Sequence, residues 1–549
     1  MEKILSGKII CPGFAMGRAH VLIRDTEIPN VRIAPDRVVH ELERYARAVR
    51  LVREHLREHV ADAHGDAGLE ARKIMDIHEL MLGDEHFHES VRSRVAEQLL
   101  SPERALADEA ERLSGRLEAS GDPYLQARVE DIWDMVHNLL AALCLPPSRY
   151  AAEMHQSVKN QILVSKNLFL SEVMKARNSQ ARGLVSASKA LTSHAAILLK
   201  GFNIPALGAV EGLEEVVRPG DELILDALGG RLVVRPAKKT KRAYLAARRP
   251  PRRGGPPLEP TAVETRTKDG SRIALLANID NAGQVELLLQ HRLEGIGLFR
   301  TEFLLLGTDR VPGEEEQYGV YRQVMERMKG RRVVVRTFDL GADKRLPYLD
   351  RCLAQNPSLG IRGIRRHLLR RPEELRTQLR ALLRAAAGRS VDILIPMVTT
   401  LAEVIWVKEL VLQVNDELAA AGTPCCGAPG LGAMIEVPAA AFAVQSILSA
   451  VDFISLGTND LIQYFTAADR DNEAVQHYGD LRNEAVLFML RHVAEKAAEI
   501  GRAEDVTVCG EAASVPENVG LLLELGYRSL SISPVMAPSI RAAVEATRL

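Results

Sequence analysis

Charged and polar side chains stand at the ends of short apolar runs throughout the second half of the sequence. These residues are Asn278, Arg300, Arg336, Glu436, Asn459, Asp460 and Cys509. Two carboxylates, Glu436 and Asp460, offer the hard oxygen ligands with which proteins hold Mg²⁺, and they leave room for substrate oxygens and water. The cations that we expect around them are Arg300, Arg336, Lys344, Arg470 and Arg362. Because guanidinium groups bind carboxylate and phosphate oxygens in pairs, the pattern predicts a small, highly charged phosphate with a carboxylate of its own.

Cys509 lies in the stretch Val508-Cys-Gly-Glu, at the end of one of these runs. A structural thiol is the ordinary interpretation for any one of six cysteines. At a strand end that faces a bound enolate, however, a protonated thiol can deliver a proton to carbon. Neighbouring cations and a metal ion favour the thiolate, so the anionic substrate has to offset them.

The elements that must position these residues are eight apolar runs, most of them separated by helical stretches. The runs start at Ile273, Gly295, Val333, Ile393, Gly432, Phe453, Val506 and Leu530. Eight strand and helix units over about 290 residues are typical of a (β/α)8 barrel. In such a barrel the polar residues that end the strands converge on one mouth.

The first half of the chain has a different pattern of predicted strands and helices. Residues 8–23 predict two short strands around a Pro-Gly turn. From about 37 to 146, apolar residues recur at helical spacing, which predicts an insert of roughly four helices. Short strands return between 161 and 235. We therefore expect an α/β domain whose two sequence segments are separated by the helical insert.

Composition limits the classes of function. The chain has 549 residues, which predicts two to four domains, and a formal charge of −1, which creates no global attraction to nucleic acid or to an anionic membrane. The cysteines show no paired CxxC spacing, and no uninterrupted apolar run is long enough to span a bilayer. These features favour a cytoplasmic protein without nucleic-acid or membrane partners.

A basic segment follows the second group of strands. Residues 236–260 contain eight lysines and arginines before a Gly-Gly-Pro-Pro stretch, but only one aromatic residue, Tyr244. Without a recognisable nucleic-acid-reading motif, a solvated linker is the preferred interpretation.

Seven stretches spread over nearly the whole chain form a specific pattern. They are Cys11-Pro-Gly-Phe-Ala-Met-Gly, Thr192-Ser-His-Ala-Ala-Ile, Glu294-Gly-Ile-Gly-Leu-Phe-Arg-Thr-Glu-Phe, Arg336-Thr-Phe-Asp-Leu-Gly-Ala-Asp-Lys, Met434-Ile-Glu-Val-Pro-Ala-Ala, Leu456-Gly-Thr-Asn-Asp-Leu-Ile-Gln-Tyr and Val508-Cys-Gly-Glu. In composition and order the pattern closely resembles enzyme I of the bacterial phosphoenolpyruvate:sugar phosphotransferase system. The resemblance implies a relay that carries phosphate from phosphoenolpyruvate to His194 and then to a histidine of the small carrier protein HPr, releasing pyruvate.

The same resemblance implies a role for each residue of the site. His194 is the expected nucleophile, and Cys509 is expected to protonate the departing enolpyruvate. Glu436 and Asp460 are expected to hold Mg²⁺. The residues expected to bind phosphoenolpyruvate are Arg300, Arg336, Asn459, Asp460, Arg470, Lys344 and Arg362.

The resemblance also implies a domain plan. A swivelling phosphohistidine α/β domain is expected over residues 1–30 and 147–235, with an HPr-binding helical subdomain over 31–146. A basic linker over 236–262 leads to a phosphoenolpyruvate-binding TIM barrel over 263–549. Through this barrel, members of the family form homodimers.

His194 precedes an apolar helical run, and its position suits the implied chemistry. If the helix starts at Thr192 or Ser193, the imidazole lies in the first turn, where the helix dipole disfavours imidazolium and keeps the ring a neutral nucleophile. The free amide donors of the same turn can stabilise the phosphoryl group after transfer. A capped helix with a solvent-facing histidine is the alternative.

The chain departs from the family pattern just before this histidine. The family usually has Gly-Gly-Arg ahead of Thr-Ser-His, whereas this chain has Lys189-Ala190-Leu191. Three alternatives therefore stay open: a regulatory, nitrogen-type or permease-less relay, a pyruvate, phosphate dikinase or phosphoenolpyruvate synthase relative, and a catalytically silenced interaction protein of the same fold. The dikinase alternative lacks a glycine-rich nucleotide-binding loop in the sequence.

Histidines are frequent in the helical insert and could suggest a metal site. Six of them are His55, His59, His64, His78, His86 and His88. Because no Glu or Cys stands at ligand spacing, we expect solvated helix histidines here.

Overall fold

The computed structural model describes most of the chain. The described residues are 2–22, 31–61, 79, 82–120, 123–150, 156–188, 194–202, 204–247, 263–305, 310–340, 356, 358–470, 472 and 474–549. The chain divides into two compact units, Met1–Pro250 and Pro251–Leu549.

The first unit is built on an eight-stranded sheet. Its strands are β1 (Lys3–Ser6), β2 (Lys8–Cys11), β3 (Phe14–Leu22), β4 (Ile162–Ser165), β5 (Gly183–Ser186), β6 (Ala206–Gly208), β7 (Glu222–Asp226) and β8 (Arg231–Val234). Their order across the sheet is β1-β8-β7-β3-β4-β5-β6-β2. Strands β3 to β6 are parallel to one another, and the remaining pairings are antiparallel.

Gly7 joins the two strands that stand at opposite ends of this order. It is the one residue between β1 and β2, and its N–H donates to the Gly230 carbonyl at 2.9 Å. A Cβ atom at this position would overlap the side chain of Val210. Close approach of the backbone therefore requires glycine here.

Eight helices complete the described part of the first unit. They are Val38–Ala61, Glu85–Glu97, Pro102–Ala119, Pro123–Cys144, Leu170–Asn178, His194–Gly201, Leu213–Val216 and Lys238–Ala247. The first four match the predicted helical insert. Tyr45 and Leu139 of the insert belong to the same buried cluster as Val173 and Leu199 of the α/β part, so the two parts share a core.

Asp134 fixes the insert to the α/β part by hydrogen bonds. Its carboxylate, which is 2% exposed, accepts from the backbone N–H of Ser171 at 3.0 Å and from the Ser171 hydroxyl at 2.6 Å. Ser171 lies in the first turn of the helix Leu170–Asn178, which packs against the helix that starts at His194. The insert is thus coupled to the histidine-bearing element through one intervening helix.

The predicted basic linker contains a helix that the sequence interpretation did not include. Lys238–Ala247 is helical, because its apolar Tyr244 packs against the Phe14 ring, with centroids 5.4 Å apart, and the Tyr244 hydroxyl donates to Asp226 at 3.0 Å. The Thr240 hydroxyl also donates to Glu2, at 3.1 Å. These contacts attach the helix to the first unit. The remaining bounds of the domain plan stay predictions.

Of the six histidines named above, His64, His78 and the side chain of His59 lie outside the described residues, and His88 differs from its expected environment. The expectation of a solvated side chain is wrong for His88, which is 5% exposed. Its two ring nitrogens bond the Tyr45 hydroxyl at 2.7 Å and the Leu82 carbonyl at 2.8 Å. Burial lowers the pKa of His88, and it does so more than the bond to Leu82 raises it. His88 is therefore a neutral core residue.

The second unit is a parallel barrel. Its strands are β9 (Thr265–Arg266), β10 (Arg272–Ile279), β11 (Gly295–Arg300), β12 (Arg332–Arg336), β13 (Asp392–Ile395), β14 (Gly430–Ile435), β15 (Phe453–Gly457), β16 (Val506–Cys509) and β17 (Ser529–Ile532). Each of β10 to β16 pairs in parallel with the next strand, and β17 pairs with β10, which closes the barrel. The eight predicted apolar runs are these eight strands, and the predicted (β/α)8 barrel is confirmed.

Helices alternate with the barrel strands. In the described residues they are Val285–Gln290, Glu314–Met328, Ile364–Leu369, Pro372–Ala385, Leu401–Ala420, Pro438–Phe442, Val444–Leu448, Thr458–Thr466, Glu484–Glu499, Pro516–Glu524 and Ala537–Ala546. One buried cluster takes a side chain from each of six strands: Leu298, Val334, Leu394, Met434, Phe453 and Cys509. This cluster fills the barrel, as expected for a packed core. Within the described residues, none of the helices is both long enough and apolar enough to cross a bilayer.

Candidate active site

The ends of the barrel strands carry the residues that the sequence singled out. Arg300 and Arg336 end β11 and β12, and Cys509 ends β16. Glu436 directly follows β14, and Asp460 lies in the first turn of the helix that follows β15. Because these strands are parallel neighbours in a closed barrel, all five positions belong to the same mouth.

Arg336 is buried among carboxylates. Its Nη2 atom donates to Glu302 Oε1 at 2.9 Å, and its Nη1 atom lies 3.8 Å from Asp339 Oδ2. Burial by itself lowers the pKa of Arg336, but the charges of Glu302, Asp339, Glu436 and Asp460 raise the pKa overall, so the guanidinium stays charged. Its Nε atom is buried without a hydrogen-bond partner. This donor is available to an anion.

Arg362 links two carboxylates on different elements. It makes a bidentate pair with Asp339, at 3.2 Å from Nε and 2.6 Å from Nη2, and its Nη1 atom donates to Asp460 Oδ1 at 3.2 Å. The same Nη1 atom donates to the Tyr464 hydroxyl at 2.8 Å. Burial acts to lower the pKa of Arg362, and the charges of Asp339 and Asp460 outweigh it and raise the pKa. Planar, bidentate pairing of this kind fixes geometry as well as charge.

Glu436 and Asp460 interact across the mouth. Glu436 is 1% exposed, and burial together with the charge of Asp460 raises its pKa to about 8, although Arg336 acts to lower it. Its Oε1 atom accepts the backbone N–H of Met397 at 2.7 Å. Two buried carboxylates that repel each other form a site that a cation stabilises.

Backbone geometry supports this orientation of Glu436. Met397 has φ +59°, in the left-handed region that side chains other than glycine rarely adopt. Gly363, at φ +54°, packs directly against Met397, because a Cβ atom on Gly363 would lie 2.8 Å from Met397 Cβ. The close packing of these two residues keeps the Met397 N–H directed at the carboxylate.

Cys509 is a protonated thiol in the barrel interior. Burial raises its pKa to about 11, against the lowering effects of a hydrogen bond from Ser455 and of the charges on Arg300 and Arg336. Burial therefore outweighs the neighbouring arginines and favours the thiol. A protonated thiol at neutral pH is the state that a general acid needs.

The remaining expected residues are less constrained. Arg300 is partly exposed, with Nη1 at 3.4 Å from Asp280. Asn459 accepts the backbone N–H of Glu511 at 2.9 Å. Arg470 lies in the exposed turn after the helix Thr458–Thr466. Lys344 lies outside the described residues, and so do Thr192, Ser193 and the side chain of His194, although the helix is described from His194 onward.

The sequence analysis missed three residues of the network. Glu302 lies two positions after Arg300, and Asp339 lies three positions after Arg336, but the sequence analysis gives neither carboxylate a role. Tyr464 stands four residues after Asp460, on the same helix face. That spacing was the available signal for Tyr464, and pairing with arginine was the signal for the carboxylates.

The carboxylates at the mouth of the barrel suit a divalent cation that takes further ligands from a substrate. Within the described residues, no group of three or more His, Cys, Asp or Glu side chains is placed to hold a metal ion alone. Glu436 and Asp460 supply two carboxylates, which is the number that Mg²⁺ takes from proteins when substrate phosphate and water complete its shell. Burial and the charge of Asp460 raise the pKa of Glu436, so a divalent cation would stabilise the ionised pair. The residues fit a Mg²⁺ ion that is shared with a substrate.

Comparisons with known proteins agree with this geometry. Three family models match: the N-terminal domain of PEP-utilising enzymes over residues 6–128, their mobile domain over 158–230 and their PEP-binding domain over 259–549. The phosphoenolpyruvate-protein phosphotransferases of Bacillus sp. (strain S) and Geobacillus stearothermophilus are each 33% identical over 542 residues, which is 98% of this chain and 93% of theirs. The enzyme of that name from Bacillus subtilis (strain 168) is 33% identical over 504 residues, which is 90% of this chain and 86% of its own.

The match thus covers both units, and its PEP-binding model falls on the barrel whose mouth holds the buried arginines and carboxylates. The chain belongs to the phosphoenolpyruvate-protein phosphotransferases, within the family of PEP-utilising enzymes.

Proposed function

We propose that this protein transfers the phosphoryl group of phosphoenolpyruvate to its own His194 and then to a histidine of the carrier protein HPr, releasing pyruvate as the first step of a sugar phosphotransferase system. One observation carries the proposal: two buried arginines and two buried carboxylates, Arg336, Arg362, Glu436 and Asp460, meet at the mouth of the barrel. An anion with several charges and a divalent cation together satisfy this arrangement.

The arginines have different tasks. Arg336 offers its unpartnered Nε–H to a substrate oxygen, and Arg300 is accessible enough to bind a second anionic group. Asn459 and Arg470 complete the proposed substrate contacts, with Lys344. Arg362 pairs with Asp339, Asp460 and Tyr464, so it orients the carboxylate of Asp460 in addition to its proposed contact with the substrate. Both buried guanidinium groups thus belong to the proposed substrate site, and Arg362 also holds its shape.

Glu436 and Asp460 are the proposed Mg²⁺ ligands. When bound, the ion supplies charge neutralisation for the phosphate oxygens and for the carboxylate pair. The bond from the Met397 N–H holds one Glu436 oxygen, so the second oxygen keeps a defined direction.

The reaction is proposed to proceed in two steps at the substrate. A nitrogen of His194 attacks phosphorus, the bond from phosphorus to the enol oxygen breaks, and enolpyruvate remains in the barrel. The Cys509 thiol then gives its proton to C3, which forms the methyl group of pyruvate and leaves a thiolate. A solvent proton restores the thiol.

His194 and the barrel site belong to different units. The proposed relay therefore requires His194 to meet phosphoenolpyruvate first and HPr afterwards. The helical insert is the proposed HPr-binding surface, and the barrel is the proposed dimer contact. Cytoplasmic location is part of the same proposal.

Labelling with [³²P]phosphoenolpyruvate and Mg²⁺ tests the relay. Wild-type protein should acquire an acid-labile phosphate that maps to the peptide containing His194. His194→Ala should not be labelled but should still bind phosphoenolpyruvate, whereas the control His86→Ala, which changes an exposed histidine of the insert, should be labelled normally. Labelled His194→Ala protein would contradict the assignment, and transfer of label to added HPr identifies the acceptor.

A further inference from the structure

Ser455 and Cys509 make a buried side-chain contact inside the barrel. The Ser455 hydroxyl donates to Cys509 Sγ at 3.1 Å, and Sγ in turn donates to the Leu456 carbonyl at 3.4 Å. Ser455 is 1% exposed and Cys509 is fully buried. The sulfur is therefore held from two sides by groups of one strand.

Strand register explains why these two side chains meet. β15 and β16 are parallel neighbours, in which Ser455 is opposite Thr507 and Gly457 is opposite Cys509. Ser455 and Gly457 are two positions apart and therefore face the same side of the sheet as Cys509, so the Ser455 hydroxyl can reach the sulfur diagonally. The rest of the surrounding cluster is apolar, with Met434 and Phe453 among its members.

We propose that Ser455 is a positioning residue for proton transfer between Cys509 and C3 of pyruvate, because its hydroxyl holds the sulfur and stabilises the thiolate that forms. The inference rests on the proposed acid role of Cys509. In the forward step the S–H bond breaks and a C3–H bond forms, the enolate becomes the ketone, and sulfur keeps the electron pair. The reverse step removes a methyl proton from pyruvate.

The thiolate needs this hydroxyl because its other surroundings are unfavourable. Burial and the charge of Glu436 oppose the ionised sulfur, while the more distant charges of Arg300 and Arg336 favour it. Within the described residues, the Ser455 hydroxyl is the hydrogen-bond donor that faces the sulfur, and it acts to lower the pKa of the thiol. A preorganised O–H donor at a sulfur that gains charge is an arrangement that lowers a reaction barrier.

A purely structural role is the competing explanation, since a buried hydroxyl must find a partner in any case. The barrel contains a matched example. The hydroxyls of Thr507 and Ser529 bond each other at 3.0 Å, both are buried, and neither has a hydrogen bond with Cys509. Ser529→Ala therefore removes a buried hydroxyl pair without touching the sulfur.

Exchange of the methyl protons of pyruvate in D₂O tests the proposal directly. The unphosphorylated full-length protein, pyruvate and Mg²⁺ are followed by NMR, and the rate of deuterium incorporation is measured against pD. Ser455→Ala should slow the exchange at least about tenfold, as expected for a lost hydrogen bond to a charged group. Its rate profile should also move to higher pD, because the thiolate forms less readily. Ser529→Ala should leave both the rate and the profile unchanged.

Two further variants separate the possible failures. Cys509→Ala should abolish the exchange, and Ser455→Thr, which keeps a hydroxyl, should restore most of what Ser455→Ala loses. An unchanged rate in Ser455→Ala, or a slower rate without a shift of the profile, would overturn the role of Ser455. Exchange at the normal rate in Cys509→Ala would overturn the acid role as well. His194 takes no part in this reaction, so failure of the phosphohistidine assignment would appear in the labelling experiment alone.

Discussion

The guanidinium of Arg362 bridges Asp339 and Asp460, at 2.6 Å from Asp339 Oδ2 and 3.2 Å from Asp460 Oδ1. The bridge ties the segment after β12 to the helix after β15. It makes the position of a proposed metal ligand depend on a residue that need not touch the metal. Buried pairs of this kind are costly to break, because the remaining charge stays buried.

Asp339→Asn should therefore damage both stability and activity. We expect the free energy of unfolding of the barrel to fall by about 3 kcal/mol, the low end for loss of one partner of a buried ion pair. The rate of labelling by phosphoenolpyruvate should also fall, because Arg362 no longer holds Asp460 in its orientation. Denaturant unfolding and the labelling rate check the two effects.

An exposed ion pair provides the control for this substitution. Glu264 pairs with Arg266 and Arg272, and all three side chains are about half exposed. Glu264→Gln should change the free energy of unfolding by less than about 1 kcal/mol. Equal losses in Glu264→Gln and Asp339→Asn would refute the importance of the buried bridge.

Gly363→Ala should disturb the site through Met397. The new Cβ would lie 2.8 Å from Met397 Cβ, so Met397 has to move and its N–H no longer points at Glu436. We expect an overpacking cost of about 1–3 kcal/mol in addition to backbone strain. The activity should require a higher Mg²⁺ concentration for half-saturation, measured by titration of the labelling rate.

Gly388→Ala isolates the backbone strain in this comparison. Gly388 has φ +71°, like Gly363 in sign, but open space surrounds the position of its Cβ. The substitution should lower stability by about 1–2 kcal/mol, as for any residue forced into the left-handed region, and leave the Mg²⁺ requirement unchanged. A shift of that requirement in both variants would show that packing on Met397 is not the cause.

His88 predicts a pH dependence of the helical insert. Its pKa is lowered in the folded protein, so an unfolded segment binds a proton that the folded one does not. The stabilising contribution is present above the ordinary histidine pKa of about 6.5 and is lost as the pH falls through and below it. Hydrogen exchange of the helix Glu85–Glu97, corrected for intrinsic rates, should report weaker protection at pH 5 than at pH 7.5.

His88→Gln removes the titrating group and serves as the reference for that measurement. It should lower protection at pH 7.5, because the bonds to Tyr45 and Leu82 are altered, but its protection should depend less on pH than that of the wild type. The same pH dependence in both proteins would assign the effect to other groups.

The barrel could be predicted in detail because its strands are short apolar runs, most of which lead into a polar or reactive residue, as the run from Phe453 leads to Asp460. The site was predicted in part for the same reason. Contacts between residues far apart in the sequence limited the rest of the prediction. His88 is buried against Tyr45, which lies 43 residues away. The basic segment predicted as a linker contains a helix whose Tyr244 contacts Phe14 and Asp226. The left-handed conformation of Met397, which packs closely against Gly363, has no signal in a single sequence.

Gly7 joins β1 and β2, the two end strands of the sheet, so loss of this one segment would affect both ends of the sheet of the first unit. Because β1 covers β8 and β2 covers β6, detachment of a single short segment would uncover two strands at once, at opposite ends of the sheet. Uncovered strands offer unpaired amides and carbonyls to other chains. A protease cut soon after residue 11 would thus move the two edges of the sheet inward, from β1 and β2 to β8 and β6, and each new edge strand could pair with another chain.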